Sequence, residues 1–253
     1  MMRFGSYVIC TSPRSGSTLL CKLLAATRVA GNPASYFHGS SVEDWLDELG
    51  LPPGTSAPDH DVLKTAFGEA ARLGRDGTGV FGLRQQQHYL EFLREKLAIM
   101  RPQHRTDKER LESLFGPMLF IHLSRADKLA QAVSYLKAEQ SGLWHVAPNG
   151  IELERLAPHR EPIYDFDAVK GCVEMLTDYD RKWEQWFRLE AIDPLRISYD
   201  ELSADPKGTL RHVLRRLGLD GAAADGIKPG VKKLADGTSQ DWMARYRQDL
   251  HAR

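Results

Sequence analysis

The residues best suited to chemistry lie in the turn that follows the first apolar segment of the chain. That turn, TSPRSGST at residues 11–18, carries a cation, a glycine and three hydroxyls, which are Arg14, Gly16, Ser15, Ser17 and Thr18. A helical pattern starts at Ser17. The first N–H groups of a helix have no partner within the helix, and they lie at the positive end of the helix dipole. Glycine lets a ligand approach the backbone closely. The turn therefore predicts a site for a phosphate or a phosphate-like group.

The turn differs from the phosphate loop of nucleoside triphosphate hydrolases. That loop reads G-x-x-x-x-G-K-[ST], whereas this chain, aligned on Gly16, has Thr11 in place of the first glycine and Ser17 in place of the lysine. The apolar strand predicted at residues 118–123 leads to Ser124 and Arg125 rather than to an aspartate that could bind Mg²⁺. Because hydrolysis needs both the lysine and the metal carboxylate, the turn predicts anion binding without cleavage of a γ-phosphate.

Alternating strands and helices are expected to position this turn. Short apolar runs rich in β-branched residues predict strands at residues 7–10, 80–83, 118–123 and 195–199. Helical periodicity predicts helices from Ser17 and at residues 61–73, 88–100, 126–139 and 166–191, with a loop-rich segment at 142–162. This order predicts an α/β fold with a mainly parallel sheet flanked by helices and a ligand site at the carboxyl ends of the strands.

Composition limits the class of protein. The 253 residues suit one large domain, and 34 basic residues balance 34 acidic ones, so a coat that binds nucleic acid is not expected. The three cysteines have no zinc-site or C-x-x-C spacing and are expected to be buried thiols. No signal peptide and no apolar run of membrane-spanning length is recognisable, which predicts a cytoplasmic protein without a transmembrane segment.

Three segments in order resemble the PAPS-dependent sulfotransferases of the bacterial trehalose 2-sulfotransferase-like family, where PAPS is 3′-phosphoadenosine 5′-phosphosulfate. They are TSPRSGST, FIHLSRADKLAQAVSYLKAEQSGLWH and YDELSADPKGTLRHVLRRLG, at residues 11–18, 120–145 and 199–218. The resemblance implies a three-layer P-loop-like fold, a single sulfotransferase domain over residues 1–253 and homodimers. It also implies PAPS as the sulfuryl donor, no metal, and a hydroxyl of a carbohydrate or glycolipid as the acceptor.

The resemblance also assigns residues. It implies that the 5′-phosphosulfate is bound by the turn described above, through Arg14, Ser15, Gly16, Ser17 and Thr18. It implies that the 3′-phosphate is bound by Arg125 and Ser134, with Lys233 as a further contact where relatives carry arginine. Arg84 stands where the trehalose-sulfating relatives carry lysine, which implies a contact with the substrate, and Arg14 is expected to stabilise charge in catalysis.

The catalytic base is where this chain departs from the family. The relatives carry a glutamate, proposed as general base, where this chain has Ser35 in the segment GNPASYF. A serine hydroxyl is far too weak a base, so Ser35 is expected to contact the substrate only. His38 lies three residues further on, and a histidine has an ordinary pKa of about 6.5. His38 is therefore the predicted base, with Glu43, which could simply cap a helix, as a weaker candidate.

Two alternatives to a working sulfotransferase remain open at this stage. The change at Ser35 is compatible with a PAPS-binding protein that does not turn over. The anion-binding turn is also compatible with a nucleotide or sugar kinase, which would bind ATP with Mg²⁺. Sequence alone does not indicate which sugar or glycolipid is the acceptor.

Overall fold

A four-stranded parallel sheet forms the centre of the protein. The computed structural model describes residues 4–53, 59–147, 149–228, 230 and 236–252. The strands are β1 (Ser6–Thr11), β2 (Phe81–Gln86), β3 (Met118–Ser124) and β6 (Leu195–Ser198), in the order β2-β1-β3-β6, and every neighbouring pair is parallel. A separate antiparallel hairpin is formed by β4 (Leu143–Val146) and β5 (Glu152–Arg155). The predicted α/β fold with a parallel sheet flanked by helices is confirmed.

Ten α-helices surround these strands in the described part of the chain. They are α1 (Ser17–Ala26), α2 (Val42–Glu48), α3 (Asp59–Arg75), α4 (Leu90–Met100), α5 (Asp107–Phe115), α6 (Lys128–Ser141), α7 (Phe166–Leu189), α8 (Tyr199–Ala204), α9 (Pro206–Arg216) and α10 (Gly237–Ala252). Short 3₁₀ turns occur at Gln87–Tyr89 and Gly221–Ala224. None of these helices combines the length and the apolar character that crossing a membrane would require.

The sheet is covered on both faces, as the near-continuous apolar sequence of β1 requires. Alternate side chains of β1 point to opposite faces. Val8 and Cys10 pack into a core with helices α2 to α5 and α7, whereas Tyr7 and Ile9 pack with helices α1, α8 and α9. Helices α6, α7 and α10 share a third apolar cluster. The layers hold β1 in the middle, and with it the turn that follows.

The predicted strands and helices occur in the structure in the predicted order, and the structure contains further elements. The segment predicted as loop-rich at residues 142–162 contains the β4–β5 hairpin, and helices α5, α8 and α10 were not predicted. The prediction of a strand as far as Tyr199 was wrong, because Ser198 and Glu201 form a capping box that starts helix α8 at Tyr199. All three cysteines are free and buried, as expected.

Candidate active site

A cleft of about 570 Å³ lies at the carboxyl edge of the sheet and brings together most of the residues singled out from the sequence. The residues among them that line it are Arg14, Gly16, Ser17, Thr18, Ser35, His38, Arg84, Arg125 and Ser134. Ser15 does not line the cleft: its side chain is fully buried and its hydroxyl shares a hydrogen bond with Thr11. Lys233 lies outside the described residues.

The turn after β1 is held by hydrogen bonds to strand β3 and to helices α6 and α7. Thr11 donates its hydroxyl proton to the Leu123 carbonyl at 2.9 Å, and the Trp183 indole N–H donates to the Thr11 carbonyl at 2.9 Å. From helix α6, the fully buried Gln131 side chain donates to the Pro13 carbonyl at 2.6 Å. These bonds leave the turn little freedom, so its backbone is organised before any ligand arrives.

Helix α1 opens into this cleft without a side-chain cap. Among the described helices, α2, α5 and α8 each begin with a capping box, but α1 has Gly16 at its N-cap position, and no side chain there accepts from its first N–H groups. Gly16 has a φ of 89°, and a Cβ added there would lie 2.9 Å from the Tyr199 ring. A glycine is therefore required at this close contact, and the free N–H groups of α1 are available to an anion.

Arg14 lies at the entrance to helix α1, with its guanidinium held by two bonds from other elements. Its Nε donates to the Ser134 hydroxyl at 3.0 Å and its Nη1 to the Trp144 carbonyl at 2.6 Å. Burial, and then the neighbouring charge of Arg125, lower the pKa of Arg14 to about 10. Arg14 is a non-glycine residue at a φ of 62°, a left-handed conformation that the surrounding bonds must hold.

Arg125 is the second cation of the cleft, and only 9% of its surface is exposed. Its guanidinium carbon lies 4.4 Å from the centre of the Tyr199 ring. Its buried Nε has no hydrogen-bond partner among the described residues, which is costly unless a ligand supplies one. Burial lowers the pKa of Arg125.

Arg84 connects the segment GNPASYF, residues 31–37, to the turn after β1. The backbone at Ala34 pairs with Leu83 at the edge of the sheet, which places Ser35 beside Arg84. The Arg84 Nε donates to the Ser35 hydroxyl at 2.7 Å, and its Nη1 donates to the Thr18 hydroxyl at 3.0 Å. In the described part of the chain no ion pair with a carboxylate involves Arg14, Arg84 or Arg125, in contrast to structural arginines such as those at positions 94, 110 and 196.

His38 lines the cleft beside a small group of rings. Its ring meets Tyr89 edge-on, with centroids 4.7 Å apart, and the His88 ring also contacts Tyr89, with centroids 4.1 Å apart. Burial, followed by the charge of His38, lowers the pKa of His88 to about 4. Both histidines are exposed residues that line the cleft.

The hairpin contributes two residues that the sequence analysis did not single out, His145 and Glu154. The His145 Nε2 lies 3.0 Å from the Thr18 hydroxyl and 3.5 Å from a Glu154 carboxylate oxygen. His145 falls within the quoted segment 120–145, but nothing in the sequence indicated that β5 would fold back beside it. Because a hairpin pairing joins residues that are apart in sequence, only the fold reveals the pair.

The geometry agrees with the comparison with known families. The sequence model of the Stf0 sulphotransferase family matches residues 6–249. The chain belongs to this family. The match spans every residue of the cleft named above, and membership of the Stf0 sulphotransferase family supports transfer of a sulfuryl group.

Individual proteins similar to this Stf0 family chain are also sulfotransferases. The trehalose 2-sulfotransferase of Mycobacterium tuberculosis is 29% identical over 266 aligned positions, covering 96% of this chain and 94% of the relative. That of Mycolicibacterium smegmatis is 29% identical over 276 positions, covering 96% and 95%. The solved sulfotransferase domain of the Synechococcus PCC 7002 olefin synthase has a TM-score of 0.51 at 16% identity, covering 96% of this chain and 86% of that chain, and it shows the shared fold.

Proposed function

We propose that this protein moves a sulfuryl group from PAPS to a hydroxyl of a carbohydrate or glycolipid. Family membership supports the reaction class. The two curated relatives are named for trehalose, a sugar, and this supports a carbohydrate acceptor. The donor is inferred from the charge and the hydrogen-bonding capacity of the cleft.

The observation that carries the proposal is the pair of arginines in one cleft, Arg14 half-buried and Arg125 buried. Burial, and then the charge of Arg125, lower the pKa of Arg14, burial lowers the pKa of Arg125, and in the described structure neither forms an ion pair with a carboxylate. Two cations held in this way favour a ligand with two anionic groups. PAPS has such groups, a phosphosulfate at one end and a 3′-phosphate at the other.

The residues of the cleft fit the two groups separately. The uncapped start of helix α1 with Arg14 would bind the phosphosulfate, and the unpartnered Nε of Arg125 would meet the 3′-phosphate. Ser134 accepts from Arg14 and would orient its guanidinium, a role beyond the 3′-phosphate contact implied by the family resemblance. Ser15 would contribute through its backbone N–H, because its hydroxyl is buried. Lys233 remains a predicted contact.

Catalysis by these residues would be mainly electrostatic. Bound PAPS supplies an activated sulfuryl group that a hydroxyl can accept. Arg14 and the N–H groups of helix α1 are preorganised to stabilise negative charge that develops on the leaving phosphate. Arg84, with Ser35 and Thr18 as hydrogen-bond partners, would orient the acceptor beside the phosphosulfate. The homodimer, the cytoplasmic location and independence from metal remain predictions.

The proposal predicts that the protein releases 3′-phosphoadenosine 5′-phosphate from PAPS and that trehalose or another sugar alcohol accelerates the release. The assay is run in EDTA, with radiolabelled sulfur followed into the sugar. ATP with a radiolabelled γ-phosphate, in the presence of Mg²⁺ and without EDTA, serves as the comparison donor. Labelling of the sugar from ATP rather than from PAPS would favour the kinase alternative, and tight binding without any release would favour the non-catalytic one.

A further inference from the structure

The cleft contains a carboxylate that the sequence analysis left without a role. Glu154 is the only acidic residue among the described residues that line the cleft. It lies on β5 opposite His145 of β4, and 45% of its side chain is exposed. A carboxylate is also the chemical group that the trehalose-sulfating relatives present from the position occupied here by Ser35.

A chain of polar contacts joins Glu154 to that position. His145 lies between Glu154 and Thr18, Arg84 donates to Thr18, and the other end of the Arg84 fork donates to Ser35. The Thr18 hydroxyl oxygen has two lone pairs, so it can accept from both Arg84 and the His145 Nε2. A His145 with its proton on Nε2 donates towards the Thr18 and Glu154 oxygens, whereas a bare Nε2 would turn its lone pair towards the Glu154 carboxylate.

The groups that surround His145 include three cations and one carboxylate. His145 is faced by Thr18 and Lys22 of helix α1, by Arg14 of the turn, by Arg84 of β2 and by Glu154. Burial, and then the cations Arg14, Arg84 and Lys22, lower the pKa of His145 to about 3. A neutral His145 does not neutralise Glu154, and Glu154 is also close enough to Arg14 to act on its charge.

We propose that Glu154 is the general base of the reaction and replaces the glutamate that this chain lacks at Ser35. This inference rests on the proposed function. The acceptor oxygen gains a bond to sulfur as the bond from sulfur to the leaving phosphate breaks, and the hydroxyl proton passes to the Glu154 carboxylate. The half-exposed side chain then returns the proton to solvent, so no further reactant is needed.

Ser35 and His38, the other two candidates, are less suited to act as the general base. Ser35 is 6% exposed and its hydroxyl already accepts from Arg84. His38, predicted as the base, packs against Tyr89, and within the described residues no hydrogen bond joins its ring to Thr18 or Arg84. Glu154 is connected to the turn that would bind the sulfuryl donor, whereas His38 is not.

The test compares Glu154→Gln with Glu152→Gln. Both substitutions replace a carboxylate of strand β5 by an amide. Glu152 pairs with Arg155 rather than lining the cleft, so its variant is the matched control. With PAPS and trehalose as probes, we expect Glu154→Gln to lower kcat for nucleotide release about 10²–10⁴-fold, the usual contribution of a general base. The Kd for 3′-phosphoadenosine 5′-phosphate should stay within about twofold, and Glu152→Gln should keep wild-type kcat.

A second variant tests proton transfer rather than structure. Glu154→His should retain part of the activity and move the acidic limb of the rate profile to higher pH, because a histidine is a stronger base than a carboxylate. A kcat for Glu154→Gln within about threefold of wild type would overturn the proposal, as would an equal loss in Glu152→Gln. An acidic limb that disappears in His38→Ala but not in the Glu154 variants would overturn it in favour of His38. Wild-type protein that releases no nucleotide would instead contradict the proposed function.

Discussion

Replacing Arg14 by alanine is expected to lower kcat/KM for PAPS about 10²–10³-fold, the loss typical when one preorganised donor to a developing negative charge is removed. Arg14 is held by Ser134 and by the Trp144 carbonyl at the entrance to helix α1, so its charge is fixed where the donor's anionic group is proposed to bind. The measurement is the steady-state rate of nucleotide release at subsaturating and saturating PAPS.

The same change should leave the fold intact. Burial lowers the pKa of Arg14, so the folded protein gains nothing from the charge itself, and Ser134 and Trp144 can bind water at the cleft instead. We expect Tm to fall by no more than about 4 °C, equivalent to about 1 kcal/mol for a protein of this size. Arg14→Lys keeps the positive charge but removes the planar guanidinium, so it separates the contributions of the two. Arg72→Ala, which removes an exposed arginine paired with Glu69, is the surface control. Wild-type kinetics in Arg14→Ala would contradict the assignment of the turn.

Replacing Arg125 by alanine is expected to remove the preference for nucleotides with a 3′-phosphate. Arg125 is buried over the Tyr199 ring with an unpartnered Nε, and a charge-assisted hydrogen bond of this kind contributes about 1.5–3 kcal/mol. That energy corresponds to about 10–100-fold in Kd. Calorimetry should therefore show a loss of this size for 3′-phosphoadenosine 5′-phosphate and little change for 5′-AMP.

Selectivity, rather than the size of the loss, decides the role of Arg125. Arg125→Lys keeps a charge but not the fork, and it should fall between wild type and alanine. Because the Arg125 carbonyl accepts from Lys128, which also pairs with Asp180, the backbone here is held independently of the guanidinium. Equal losses for both nucleotides would show that Arg125 does not distinguish the 3′-phosphate.

The central sheet and the turn after β1 could be predicted because both depend on local sequence. The apolar run of β1, the small residues after it and the helical pattern from Ser17 occupy one continuous stretch, and their physical consequences are local. The start of helix α8 at Tyr199 could have been found too, since Ser198 and Glu201 have the spacing of a capping box. Family resemblance, in turn, indicated Arg125 and Ser134, which belong to a different part of the chain.

The wall of the cleft formed by the β4–β5 hairpin could not be predicted in the same way. The pairing of His145 with Glu154 depends on a register between two short, irregular strands, and hydrophobic alternation is too weak there to fix it. The contact between Arg14 and Ser134 likewise depends on how helix α6 packs beside β1. Helical spacing relates Ser134 only to its own helix, so the pair becomes visible only in the assembled fold.

The most direct test of the central claim is metal-free calorimetry with 3′-phosphoadenosine 5′-phosphate, compared with 5′-AMP and with ATP in the presence of Mg²⁺. The two arginines and the uncapped helix α1 predict clear preference for the 3′-phosphorylated nucleotide, by at least about tenfold in Kd, or about 1.4 kcal/mol. Preference for ATP with Mg²⁺, or no binding of any of the three, would contradict the assignment of the cleft to PAPS.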